Sequence, residues 1–189
     1  VDHLLKKEFD RYRAQSKPHP LMQEHGIDAV PYADERLSEW RENFKGVTHH
    51  HVATNLVISG AVDDLWINPQ GEVSVVDYKA TSKDSEVNID AEWQISYKHQ
   101  MEFYQWLLRR NGLTVSDTGY FVYCNGRRDR ETFDGKLEFA VKIIPYVGDD
   151  SWVEPCILDA HRCLKSEDIP PHNPICEFCN YRAAAREIE

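Results

Sequence analysis

The sequence predicts an α/β sandwich built on a central mixed β-sheet flanked by helices, and three observations predict it. Segments read in the order helix, three strands, helix, two strands, helix, the pattern of one sheet covered by helices. Residues 91–110 contain neither Gly nor Pro and carry an apolar stripe at helical spacing. Runs of strand length on either side of that stretch are bounded by turn residues. With 189 residues the chain fits a single domain with appended segments, its core about 47–146 and a Cys-containing C-terminal segment at 150–189. Hydrophobic residues make up 41%, a little under the roughly 45–50% of globular chains, which is enough to bury a core.

Residues 3–13 place Leu4, Leu5, Phe9 and Tyr12 at helical spacing among charges, an amphipathic helix. Pro18, Pro20, Gly26 and Pro31 then break regularity until 36–44, where Leu37, Trp40 and Phe44 recur at helical spacing. Residues 47–53 and 56–67 read as strands about a turn at Thr54-Asn55. The turn Asn68-Pro69-Gln70-Gly71 leads into a strand at 72–81, completing a meander. In the long helix Trp93, Tyr97, Met101, Tyr104 and Leu108 form one inward stripe, and Asn111-Gly112 ends it. Strands at 118–124 and 137–146 follow, separated by the polar stretch 125–135. A last helix at about 150–164 precedes a Pro-rich tail.

Lys+Arg 22 against Asp+Glu 32 gives a net charge of −10. That excludes the basic coat of a non-specific nucleic-acid binder or of a protein held on anionic lipid, though not a local basic strip. No run of about 18 apolar residues exists to cross a membrane, and Val1-Asp2-His3-Leu4-Leu5-Lys6-Lys7 has no apolar signal core. The expectation is a soluble cytoplasmic protein without membrane contact. The chain begins without Met, so an upstream portion, a further domain or protein partners are expected beyond it. Five cysteines, an odd number, fit a reducing compartment better than a disulfide framework.

Chemistry concentrates in Gly60-Ala61-Val62-Asp63-Asp64 and Val75-Val76-Asp77-Tyr78-Lys79, neighbouring strand segments joined by a tight turn. Strand alternation puts Asp77 and Lys79 on one face, with Asp63 in reach of Asp77. Two carboxylates emerging from apolar strands form a hard-oxygen site suited to Mg²⁺ or Mn²⁺. An adjacent ammonium can orient an attacking water and offset charge on a phosphorane-like transition state. An Asp-x-Lys taken alone is commonly a surface ion pair worth about 0–1 kcal/mol. What argues otherwise is its origin in buried sheet, where charge is costly. Gln100 and Tyr104, four apart, share a helix face turned toward the protein.

The ordered triple Gly-x-x-Asp, Asp-Tyr-Lys and Gln-x-x-x-Tyr, spanning about 56–108, resembles the PD-(D/E)XK nuclease superfamily, particularly its RecB-like branch. The resemblance implies a restriction-endonuclease-like core and a Mg- or Mn-dependent deoxyribonuclease, exo- or endonucleolytic. It implies metal ligation by Asp63, Asp77 and the Tyr78 carbonyl, water assistance by Lys79, and strand contact by Gln100 and Tyr104. Asp64, as a strand neighbour of Asp63, is expected to face away. The branch also carries an upstream metal-binding His. His3, followed by Leu4, Leu5 and Phe9, resembles its setting, and His49, His50 and His51 compete with it.

The tail Pro171-His172-Asn173-Pro174-Ile175-Cys176-Glu177-Phe178-Cys179 is similar to the closing segment of iron–sulfur members of that branch, including CRISPR-associated adaptation exonucleases. Those need four thiolates, and Ala183-Ala184-Ala185 stands where a further Cys is typical. Cys156 and Cys163 could substitute in an iron–sulfur cluster, and His172 offers a mixed zinc set. The expectation favours a remnant pair packed on the core. Cys124, in an apolar strand, reads as a small core residue. Lys98, Arg109, Arg110, Arg127, Arg128 and Arg130 are the basic groups expected to meet DNA, weakly in a standalone chain. Two competitors stand beside the nuclease. One is a non-catalytic nucleic-acid-binding or complex-assembly module, which the intact Asp63, Asp77, Lys79 set disfavours. The other is a zinc hydrolase built on the His triplet, for which no partner spacing exists.

Overall fold

The computed structural model describes residues 1–187, which fall into two compact units, Val1–Val153 and one that begins at Glu154. The first unit opens with α1 (Asp2–Arg13), which has Asp2 in its first turn and Arg11 and Arg13 in its last, charges that complement the helix dipole. It buries Leu5 and Phe9, four residues apart. A short α2 (Pro20–Glu24), the two-residue strand β1 (Val30–Pro31) and a one-turn α3 (Leu37–Trp40) follow. Next come β2 (Val47–His51), β3 (Leu56–Gly60), β4 (Asp64–Ile67) and β5 (Val73–Thr81). A 3₁₀ turn (Glu92–Gln94) leads into α4 (Ile95–Arg110), then β6 (Thr118–Gly126) and β7 (Phe139–Val147).

Five strands form the central sheet in the order β1-β4-β5-β6-β7. The β5–β6 pair is parallel and the others antiparallel, so the sheet is mixed as expected. A parallel pair requires a crossover, and α4 supplies it. On one sheet face Trp66, Val76, Tyr78, Val122, Cys124 and Ile143 pack with Leu5 and Phe9 of α1 and with Met22. The opposite face carries the alternate residues, and α4 lies there: Met101 sits so close to Gly119 that a Cβ would meet its sulfur. The result is a mixed α/β sheet flanked by helices, consistent with a restriction-endonuclease-like core. Among the described residues no helix is long and apolar enough to cross a membrane.

Several expectations give way. The strand expected over 56–67 is two strands in two sheets: β3 pairs with β2 in a separate two-stranded sheet, while β4 joins the central one. The chain leaves β3 at Gly60, and Val62 N–H then bonds the Trp40 carbonyl instead of a sheet partner. Phe44 is fully exposed, because α3 has already ended at Trp40. Trp93 belongs to the 3₁₀ turn rather than to α4, so it drops out of the inward stripe and is 63% exposed.

The second unit comprises α5 (Val153–Lys165), whose first residue lies in the preceding unit, and α6 (Glu177–Arg186). Cys176 is the residue before the first turn of α6, and Ala183-Ala184-Ala185 are strong helix formers within it. The sequence reads there as a Pro-rich tail, because Pro171 and Pro174 dominate the stretch before this helix. Cys156 and Cys163 are exposed, and Cys176 and Cys179 are half-buried.

Candidate active site

The site arises where β5 outruns its neighbour. β4 pairs with β5 only from Val73 to Val76, so the flank of β5 beyond Asp77 has no β4 partner. The backbone N–H of Tyr78 points to that flank, and the Asp63 carboxylate receives it, Oδ2 lying 3.0 Å away. Asp63 immediately precedes β4 and takes the place a continuing strand would have filled. A strand residue directs its N–H and C=O to the same side, so the Tyr78 carbonyl shares this flank. Asp63 Oδ1 accepts from Lys6 Nζ at 2.9 Å, and Arg41 Nε holds the Asp63 carbonyl at 2.8 Å. Neither Lys6 nor Arg41 was identified from sequence. The only signal for Lys6 was its position on the polar side of α1.

Asp77 is 3% exposed and lies on the α4 side of the sheet. Burial, foremost, pushes its carboxyl up to about 6, with Asp63 adding to the rise and Lys79 and Lys6 opposing it. The Lys79 ammonium lies 2.6 Å from Asp77 Oδ2, yet that buried oxygen has no partner at hydrogen-bonding angles. Lys79 donates instead to Gln100 Oε1 at 3.0 Å, and its Nζ stands 4.3 Å from the centre of the Tyr97 ring. Gln100 in turn donates to the Tyr104 hydroxyl at 2.9 Å. Burial raises the Tyr104 phenol above its ordinary value despite that bond.

Gly60 explains why the site tolerates no side chain there: a Cβ would meet Tyr104 Cε1 at 2.8 Å. The glycine of the first motif and the tyrosine of the third are therefore in contact. Sequence reading placed both residues but gave no reason for the glycine.

Two carboxylates converge on one strand flank, one with a buried oxygen that lacks a hydrogen bond, beside a main-chain carbonyl. This is a hard-oxygen donor set whose charge is met by the Lys6 and Lys79 ammoniums, and its chemistry fits a divalent cation such as Mg²⁺ or Mn²⁺. A family model of the PD-(D/E)XK nuclease superfamily matches residues 1–184. The chain belongs to that superfamily. A search of curated proteins finds no match. Membership makes this a nuclease-type chain whose substrate is nucleic acid.

The remaining candidates fall elsewhere. Asp64 faces away, as expected: it is fully buried, accepts the Tyr78 hydroxyl at 2.6 Å, and is paired with Arg13 and Arg41. His3 is exposed on α1, and the residue of that helix reaching Asp63 is Lys6, one turn on. Among the described residues no three His, Cys, Asp or Glu side chains gather as a metal-binding group. The structure thus brings neither His3 to the two acids nor Cys156, Cys163, Cys176 and Cys179 together, with or without His172. His49 packs edge-on to Trp106, His50 bonds Asn55, and His51 bonds Thr54, all within the hairpin's surroundings. Cys124 is buried in the core.

The expected basic strip is largely neutralised. Arg109 is held by Asp117 and Asp150, Arg127 by Asp129, Arg128 by Asp84 and Arg130 by Glu138. Lys98 and Arg110 lie over the rings of Tyr146 and Trp106.

Proposed function

We propose that this chain is a Mg²⁺- or Mn²⁺-dependent deoxyribonuclease of the RecB-like branch, hydrolysing phosphodiester bonds in DNA. The observation that carries the reading is the buried Asp77 Oδ2, which makes no hydrogen bond although Lys79 lies 2.6 Å away, on the strand whose Tyr78 N–H is received by Asp63. Asp63, Asp77 and the Tyr78 carbonyl would hold the cation, without His3. When bound, it would supply Lewis acidity at the phosphate and lower the pKa of its water. Lys79, held by Gln100 and Tyr97, presents a fixed ammonium to the attacking water and to the charge that develops on the phosphate oxygens. Tyr104 and Gln100 border the entry of the strand, and Gln100 gives Lys79 a second anchor beside Asp77. Lys6 occupies Asp63 as a counter-cation until metal neutralises it.

The experiment is incubation of the purified chain with end-labelled DNA and RNA of the same sequence, with Mg²⁺, Mn²⁺ or excess chelator. Cleavage of DNA with either cation and none in chelator is expected. DNA left intact under every condition, or cut equally in chelator, would contradict the proposal.

A further inference from the structure

Trp93 is a large aromatic side chain left 63% exposed, and it stands on a fixed support. Its 3₁₀ turn is pegged by Gln94, which is 1% exposed. The Gln94 amide receives Ala91 N–H at 3.0 Å, donates to the Asn88 carbonyl at 2.8 Å, and reaches the Tyr123 hydroxyl at 3.4 Å. A buried, saturated amide beneath the turn holds the neighbouring indole toward solvent. The indole also abuts the site. Its ring lies 5.5 Å from that of Tyr97, edge to face, and Tyr97 lies 4.3 Å from Lys79 Nζ. Two contacts in series thus run from the ammonium at the site to an exposed aromatic plane, with Ile95, 50% exposed, beside it.

We infer that Trp93 is a stacking platform for an unpaired nucleobase next to the scissile phosphate, so that the preferred substrate is single-stranded or has an unpaired end. The inference rests on the nucleic-acid reading of the site. Charge directs it to stacking: the chain carries a net charge of −10, and Arg109, Arg127, Arg128 and Arg130, the arginines that could meet a strand, are paired with acids. Phosphate attraction alone therefore gives little hold on a strand, and base stacking on an aromatic face supplies affinity without net positive charge. Bases within a duplex are already stacked on both faces and offer nothing to Trp93, whereas an unpaired base does.

The test measures binding by anisotropy of labelled oligodeoxythymidylate, of an abasic oligonucleotide of equal length and of a blunt duplex. It uses Asp77→Asn protein so that nothing is cleaved, with and without the further change Trp93→Ala. Trp93→Ala is expected to weaken oligodeoxythymidylate binding about 5- to 150-fold, the range that losing one base stack gives, and Trp93→Phe to recover most of it. The abasic strand and the blunt duplex are expected to bind both proteins within about twofold. Unchanged oligodeoxythymidylate affinity, equal losses on all three probes, or no binding of any probe would overturn the inference. Cleavage by the unsubstituted chain reads the nuclease proposal separately: a chain that cuts DNA but loses no binding in Trp93→Ala defeats only the stacking platform.

Discussion

Asp77 holds a charge that the fold opposes, and this has a measurable pH signature. Its carboxyl rises from an ordinary 3.8 to about 6, chiefly through burial. Between those values the folded chain binds more protons than the unfolded one, so stability falls as pH rises from about 4 to 6 and stays reduced above. The penalty is on the order of 2–3 kcal/mol in metal-free protein. Urea unfolding in chelator is expected to show this loss in the parent chain and not in Asp77→Asn, which is the more stable of the two at pH 8. Parallel pH profiles for the two proteins would contradict it. Gly60 makes a second residue-scale prediction. Gly60→Ala drives a Cβ into the Tyr104 ring and is expected to cost about 1–3 kcal/mol and disturb the Gln100–Lys79 chain. Tyr104→Leu in the same protein relieves the clash, so a double-mutant cycle is expected to show coupling; additive losses would show that the two residues do not meet.

At the level of elements, the site depends on β4 stopping short and on α1 being clamped across the sheet. Asp64 is the clamp: it joins Arg13 of α1, Arg41 and the Tyr78 hydroxyl in a buried network. Asp64→Ala is expected to cost about 3–5 kcal/mol in chemical denaturation by leaving buried cations unpaired. A loss under 1 kcal/mol would deny it that role. The same elements show what sequence could reveal. Alternation along one strand suffices to put Asp77 and Lys79 on one face, and i,i+4 spacing to pair Gln100 with Tyr104, because both are local rules. The break at 61–63 is not local: no proline or strong turn signal marks it, and the pairing of Gly60 with Val47 and the Val62 bond to Trp40 divide the strand. Lys6 and Arg41 were hidden for the same reason, since each reaches Asp63 from an element distant in sequence. The turn of Trp93 was lost because a 3₁₀ start rotates it off the 3.6-residue stripe.

Across the whole molecule, acids outnumber bases and most surface arginines are already matched, so the negative charge of Asp63 and Asp77 is offset locally by Lys6 and Lys79 rather than by a wider basic surface. A divalent cation is the simplest complement to that charge, and Ca²⁺, with longer and looser coordination, is expected to bind without supporting reaction. The central claim is that these two acids with Lys79 form a metal-dependent phosphodiesterase. Its most direct test is the initial rate of cleavage of single-stranded DNA at pH 8, titrated with Mn²⁺, for the parent chain and for Asp77→Asn and Lys79→Met. The account predicts a rate that saturates with Mn²⁺ in the parent and falls by about a hundredfold or more in each variant, while circular dichroism shows both folded. Cleavage by either variant within a few-fold of the parent, or a parent rate indifferent to Mn²⁺ and chelator, would contradict it.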